Sequence, residues 1–231
     1  MGECVLRIVL KIGGFAFTGS DETEPLISKY VKLLKRLSNR HQFVVITGGG
    51  PIARFYIRAA RAMQVPESLC DQLGILVSRV NARLLVDGLG DNAFPEIPTS
   101  VGELKHYFTS GRLVAMGGLQ PGHSTNAVAA IAAETIKAEL FINATDVDGV
   151  YTADPAKDRA AQRLEEVNID RLAEILSENE MTAGGYDLMD QTALRIIRRS
   201  KIPTVILNGR TLTNITKAMR KEKTGTKVIF E

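Results

Sequence analysis

Cysteine is scarce: Cys4 and Cys70 are the only two in 231 residues. They lie far apart, without CxxC spacing or a neighbouring histidine, so a zinc site and a disulfide framework are excluded and two reduced thiols in a cytoplasm are expected. No apolar stretch approaches the length that spans a bilayer, and the apolar run after Met1-Gly2-Glu3 is too short for a signal peptide. Neither secretion nor membrane insertion is expected. Charge of one sign is also missing. The formal net charge is +3, and Lys and Arg alternate with Asp and Glu along the chain, which leaves no basic tail or stripe for nucleic acid. Any local positive excess then belongs around a small anionic ligand. There is no internal repeat, no low-complexity tract and no linker long enough to separate independent domains.

What is present is a globular balance of 45% hydrophobic and 24% charged residues, enough for one sizeable core or two coupled lobes. Short β-branched runs alternate with longer helical ones, each change falling near Gly, Pro or a polar capping residue, as βαβ units and a largely parallel sheet require. Strands are predicted at Val5 to Leu10, Phe43 to Ile46, Leu113 to Met116, Leu140 to Ala144, Thr204 to Leu207 and Val228 to Phe230. Helices are predicted at Pro25 to Leu37, Ile52 to Met63, Glu67 to Leu89, Asn126 to Lys137, Ile169 to Ser177, Leu188 to Ser200 and Leu212 to Lys221. Leu69, Leu73, Leu76, Val77, Val80, Leu84 and Leu85 of the long helix read as core-facing. After Asp148 the chain changes texture, and a second lobe can begin there.

Four segments carry chemistry. Lys11-Ile12-Gly13-Gly14 ends a strand in a lysine and two glycines, which let backbone N–H groups approach a phosphate chain beside a point charge; taken alone, it fits a turn with a solvated lysine better, because strand-ending glycine pairs are common. Gly48-Gly49-Gly50-Pro51 joins a strand to a helix with Arg54 one turn inside it, an anion site at a helix dipole or simply a tight turn. Gly117 to Thr125 has the glycine spacing of a P-loop, but His123 stands where the lysine belongs, and a neutral imidazole cannot replace a permanent ammonium between phosphates. Ser124 and Thr125 can cap the following helix or bind a ligand. Thr145-Asp146-Val147-Asp148-Gly149-Val150-Tyr151-Thr152-Ala153-Asp154-Pro155 places hydroxyl, carboxylate and aromatic groups at a strand's carboxyl end, where open parallel sheets bind ligands. Its acids lack the spacing of a calcium loop, and a structural hairpin remains the plain reading.

In this order and over nearly the whole chain, these segments resemble the amino acid kinase superfamily and, within it, the archaeal uridylate kinases. The resemblance rests on TGGGPIARFYI, the region Asp71 to Leu85, MGGLQPGHST, TDVDGVYTADP and YDLMDQTALRII. Asp190 stands near the point where acetylglutamate and glutamate kinases carry a lysine. Pro51, Ile52, Ala53 and Arg54 follow the glycine triplet, where isopentenyl phosphate kinases carry a substrate-binding histidine.

The resemblance implies a three-layer αβα sandwich with a mainly parallel sheet. It implies one domain over 1–231, with an acceptor lobe of about 1–145 and an ATP lobe of about 146–231, assembled as a homohexamer. It also implies transfer of a phosphoryl group from ATP to UMP with Mg²⁺. Carried over, Lys11, Gly13, Gly14, Gly50 and Arg54 line the ATP phosphates, and Thr145, Asp146, Tyr151 and Asp154 surround the adenosine. Gly49, Asp71 and the loop Leu119, Gln120, Pro121, Gly122, His123, Ser124 and Thr125 hold UMP. Asn126 stands where many members have an aspartate that orients the catalytic lysine, so a nucleotide-binding or regulatory protein with little turnover is the second expectation. A kinase with another acceptor, a carboxylate or isopentenyl phosphate, is the third.

Overall fold

The computed structural model describes residues 5–18, 24–153, 158, 160–180 and 188–230. Cys4 and Asp154, both named above, lie outside these residues. Continuous apolar runs form strands buried on both faces, as central parallel strands are: β1 (Arg7–Ile12), β2 (Gln42–Thr47), β3 (Val114–Met116), β4 (Leu140–Thr145) and β6 (Thr204–Asn208). With β5 (Glu166–Asn168) and β7 (Thr226–Ile229) they make one sheet in the order β3-β2-β1-β4-β6-β7-β5. Pairing is parallel throughout except between β6 and β7. The order reverses at β1, with β2 and β3 on one side and β4 on the other, so the switch point lies between β1 and β4.

Strand alternation sends two sets of side chains to opposite faces. Ile8, Leu10, Phe43, Val45 and Ile142 pack with Tyr30, Leu33 and Leu34 of α1 (Leu26–Ser38), Leu85 and Leu89 of α3 (Glu67–Leu89) and Ile215 of α8 (Thr213–Met219). Val9, Val44, Ile46 and Phe141 pack on the other face. There they meet Leu104 of α4 (Val101–Phe108), the small residues of α5 (Thr125–Thr135), Leu172 of α6 (Ile169–Glu180) and Leu194 of α7 (Gln191–Ser200). The architecture is therefore the expected αβα sandwich. Cys70 is buried and free, and among the described residues no helix is long and apolar enough to cross a membrane.

Differences from the sequence reading have identifiable causes. The first strand runs to Ile12 because Lys11 and Ile12 still pair with both neighbours. The helix expected from Leu188 starts at Gln191, since the Asp190 carboxylate accepts from the N–H groups of Thr192 (2.9 Å) and Ala193 (3.0 Å) and so fixes the N-cap. Helix α4 was missed although Ser100 and Glu103 form a capping box: Ser100 Oγ accepts from Glu103 N (3.1 Å), and Glu103 Oε2 from Thr99 N (2.7 Å). Strand β5 is too short for a periodic signal.

The largest correction concerns α3. Leu69, Leu76, Val80 and Leu84 are not core-facing but exposed, with Val80 66% accessible, while polar Ser78 and Asn81 are buried. Its buried face is mixed, with Ile75, Ala82, Leu85, Val86 and Leu89 beside the two polar residues, because that face holds loops as well as core.

Candidate active site

Strands β1, β2, β3, β4 and β6 run the same way and so end at the same edge of the sheet. Lys11 is the penultimate residue of β1, paired with Ile46 of β2 and Asn143 of β4, and thus central in the sheet. It shares a face with Val9, on the side covered by α5 and α7. Beyond it, Gly13 N donates to Ala144 O at 3.0 Å and Gly48 N to Ile12 O at 2.9 Å, so the strand ends continue as a joined rim.

The glycines of the first two loops touch each other. A Cβ on Gly14 would fall 2.1 Å from the Gly50 Cα, and one on Gly50, whose φ is +65°, would fall 2.5 Å from the Gly14 carbonyl oxygen. No other residue fits either position. Gly49 forms the N-cap of α2 (Gly50–Ala62), and Arg54 is exposed one turn inside that helix. The backbone N–H groups at the start of α2 and its positive dipole end therefore face the same edge as Lys11.

Helix α3 braces this rim with polar groups that periodicity did not single out. Thr47 Oγ1 donates to Ser78 O (2.7 Å), Ser78 Oγ accepts from Gly118 N (2.8 Å), and Asn81 Nδ2 donates to Gly48 O (2.7 Å). Arg79 donates to the carbonyls of Gly118 and Leu119. The available signal was a run of hydrogen-bonding residues at positions that one helix face brings together. The loop after β3 is held at its far end too, where Asp71 Oδ2 accepts from Gly122 N at 2.9 Å. Asp71 is thus placed against the loop expected to share its ligand. Within that loop, His123 Nδ1 is buried without a partner, and its Nε2 lies 3.5 Å from Gln120 Nε2.

Ser124 caps α5 by accepting from Asn126 N and Ala127 N, each at 3.0 Å, and its hydroxyl donates to the Asp190 carboxylate. The N-termini of α5 and α7 are thereby tied together. Just beneath, Asn126 and Asn143 donate to one oxygen, Leu188 O, at 3.2 and 2.9 Å, and both amide oxygens are buried without a partner. Leu188 O can only accept, which fixes the orientation of both amides and leaves two oxygens awaiting a donor. Asn143, the cross-strand partner of Lys11, was not among the expected site residues. Asn126→Asp is expected to lower the melting temperature by a few degrees, because Leu188 O loses a donor worth about 1–2 kcal/mol. Turnover should stay within about tenfold, since the shape is kept and Asn143, the cross-strand partner of Lys11, is untouched. A thermal melt and a rate assay test both parts; intact stability would remove the bond to Leu188.

At β4 the Thr145 hydroxyl donates to Val147 O (3.1 Å) and accepts from Val147 N (3.2 Å), so it shapes the turn. Asp146 is exposed and Tyr151 half-buried. Asp148 accepts from Asn208 Nδ2 at 2.9 Å, which ties the ends of β4 and β6. Gly209 N donates to Thr145 O (2.8 Å), and the buried Tyr30 hydroxyl donates to Gly209 O (2.8 Å). Burial pushes the Tyr30 phenol above its usual range, keeping it a neutral donor.

Fold and rim together define an open α/β protein with glycine loops and a central strand-end lysine gathered at the switch point of its sheet. The chain belongs to the amino acid kinase family, which matches residues 6–208. The uridylate kinase of Methanothermobacter thermautotrophicus is 43% identical over 226 residues, covering 98% of this chain and 100% of that protein. The uridylate kinase of Methanobrevibacter smithii is 40% identical over 224 residues, covering 97% and 99%. The crystal structure of uridylate kinase from Archaeoglobus fulgidus matches with a TM-score of 0.86 at 39% identity, covering 96% of this chain and 99% of that one.

Proposed function

We propose that this protein is a nucleoside monophosphate kinase that transfers the γ-phosphoryl group of ATP to UMP, giving UDP and ADP in cytoplasmic pyrimidine nucleotide synthesis. The observation that carries this reading is Lys11 at the switch point, beside the contacting Gly14 and Gly50 loops. The near-complete coverage by relatives named uridylate kinase supports UMP as acceptor.

In this reading Lys11, Gly13, Gly14, Gly50 and Arg54 hold the ATP phosphates, and Thr145, Asp146, Tyr151 and Asp154 surround the adenosine. Gly49, Asp71 and residues 119–125 take UMP, the acceptor lobe being about 1–145 and the donor lobe about 146–231. An oxygen of the UMP phosphate attacks the γ-phosphorus in line. The bond to the β–γ bridging oxygen breaks, and ADP leaves with that electron pair. The attacking UMP phosphate oxygen is already ionised near neutral pH, so no general base is needed. The protein aligns two anions and offsets their repulsion through Lys11, Arg54 and loop N–H groups. Mg²⁺ suits such a site because it binds largely through substrate phosphates rather than a protein cage, and when bound it neutralises charge on them. The unpartnered oxygens of Asn126 and Asn143 are the groups suited to receive the Lys11 ammonium.

Assembly as a homohexamer accords with the exposed Leu69, Leu76, Val80 and Leu84 along α3 and the exposed Ile52 and Phe55 of α2, apolar side chains that an interface would cover.

The test is phosphoryl transfer from ATP to a panel of nucleoside monophosphates, with Asp71→Ala in parallel. UMP should be the preferred acceptor. Asp71→Ala should raise the KM for UMP and leave that for ATP nearly unchanged, each lost bond to the carboxylate costing about 1.5–3 kcal/mol. If ATP binds but no nucleotide is phosphorylated, the kinase reading fails; equal effects on both KM values would move Asp71 out of the acceptor site.

A further inference from the structure

The loop after β3 is not merely adjacent to α3: one arginine of that helix holds two successive carbonyls of the loop. Arg79 Nε donates to Gly118 O at 3.0 Å, and its Nη2 donates to Leu119 O at 3.1 Å. A planar guanidinium presents these donors in a fixed fork, so both carbonyls are held at once and in one orientation. In a trans peptide the carbonyl and the following N–H point in opposite directions. Drawing the carbonyls of Gly118 and Leu119 towards α3 therefore turns the N–H groups of Leu119 and Gln120 away from it. Among the described residues neither N–H has an acceptor.

The surrounding contacts leave the loop little freedom to relax this arrangement. A Cβ on Gly117 would fall 2.6 Å from Arg79 N, and one on Gly118 would fall 2.8 Å from the Ile75 side chain, so the backbone lies directly on the helix. Ser78 Oγ receives Gly118 N, and Asp71 Oδ2 receives Gly122 N, fixing both ends of the presented segment. Arg79 and Asp71 stand eight residues apart on α3, roughly 12 Å along the helix, and the loop spans them.

We propose that Arg79 is a positioning residue that sets base specificity: it orients the Leu119 and Gln120 N–H groups as a pair of backbone donors for a pyrimidine carbonyl. This rests on the reading that residues 119–125 hold the acceptor nucleotide. A pair of donors receives the 4-carbonyl of uracil, whereas the 4-amino group of cytosine brings hydrogen against hydrogen and leaves the donors unpaired. Sites built from fixed polar partners reject the mismatched analogue more strongly than apolar pockets do.

Arg79→Met removes both hydrogen bonds while keeping an unbranched side chain, and Arg79→Lys keeps the charge but offers a point donor without the fork. Steady-state kinetics with UMP and CMP on the full chain should show the UMP-to-CMP ratio of kcat/KM falling at least about tenfold in Arg79→Met. The KM for ATP should change less than about twofold, and lysine should restore less than half of the lost preference on a logarithmic scale. Calorimetric binding of UMP and CMP gives the same ratio independently of turnover, and ATP binding reports whether each variant is folded. An unchanged ratio in a variant that still binds ATP overturns the role of Arg79 and leaves the kinase reading standing. Wild-type protein that neither binds nor phosphorylates either nucleotide overturns both. Should Arg79→Met fail to bind ATP, the Arg79→Lys ratio decides, and full preference there overturns the proposal.

Discussion

Lys11→Ala is expected to lower kcat by on the order of several hundredfold, with smaller changes in both KM values, while the fold is retained. The lysine backbone is fixed by pairing on both sides, to Ile46 and Asn143, so truncating the side chain leaves the strand intact. A charge aimed at a transferring phosphoryl group typically supplies about 3–4 kcal/mol to the transition state. The loss falls on kcat because the interaction strengthens as the phosphoryl group loosens between its two oxygens. Arginine should rescue poorly, since its longer planar fork cannot place its charge at the point that the shorter ammonium reaches. Folded Lys11→Ala protein with near-normal kcat would reduce the lysine to a solvated strand end and shift the catalytic charge to Arg54 and the metal.

Gly14→Ala should be damaging for a different reason. Its new methyl would sit about on top of the Gly50 backbone, 2.1 Å from Cα and 2.2 Å from N. Both partners are backbone, so no rotamer change relieves the clash. The two glycine loops must separate by more than about 1 Å, a displacement that costs roughly a hundredfold in rate where alignment is the catalyst. Overpacking of this kind costs about 3 kcal/mol in stability, or some 6–12 °C for a chain of this size. Gly102→Ala is the control: it lies inside α4 with nothing nearer than Ser100 Oγ at 3.9 Å, and should be neutral or slightly stabilising. Kinetics and melting curves of the two variants measure the difference. Equal behaviour would mean that the loops part without consequence.

Much of this architecture was legible residue by residue. Lys11, the glycine triplet and the Ser124-Thr125 pair are local patterns at strand ends, and strand ends of an open parallel sheet meet at one edge whatever the strand order. What remained hidden was pairing across distance. The exposure of Leu76 and Val80 could not be read from α3, because an amphipathic pattern shows two faces without saying which one meets the protein. Arg79 belongs to no local pattern, and its role depends on the loop 39 residues further on that lies against it. The shared bond of Asn126 and Asn143 to Leu188 O likewise joins a helix, a strand and a distant turn.

The sequence by itself determined the alternation of elements, the central lysine and the glycine positions, because hydrophobic period, β-branching and glycine's lack of a Cβ act over a few residues. Only the tertiary structure decided the strand order, which of the α3 leucines and valines are buried, and the partners of Asp71, Arg79, Asn126 and Asn143. These depend on which distant backbone groups need a donor or acceptor once buried, and that requirement exists only after the chain has closed on itself.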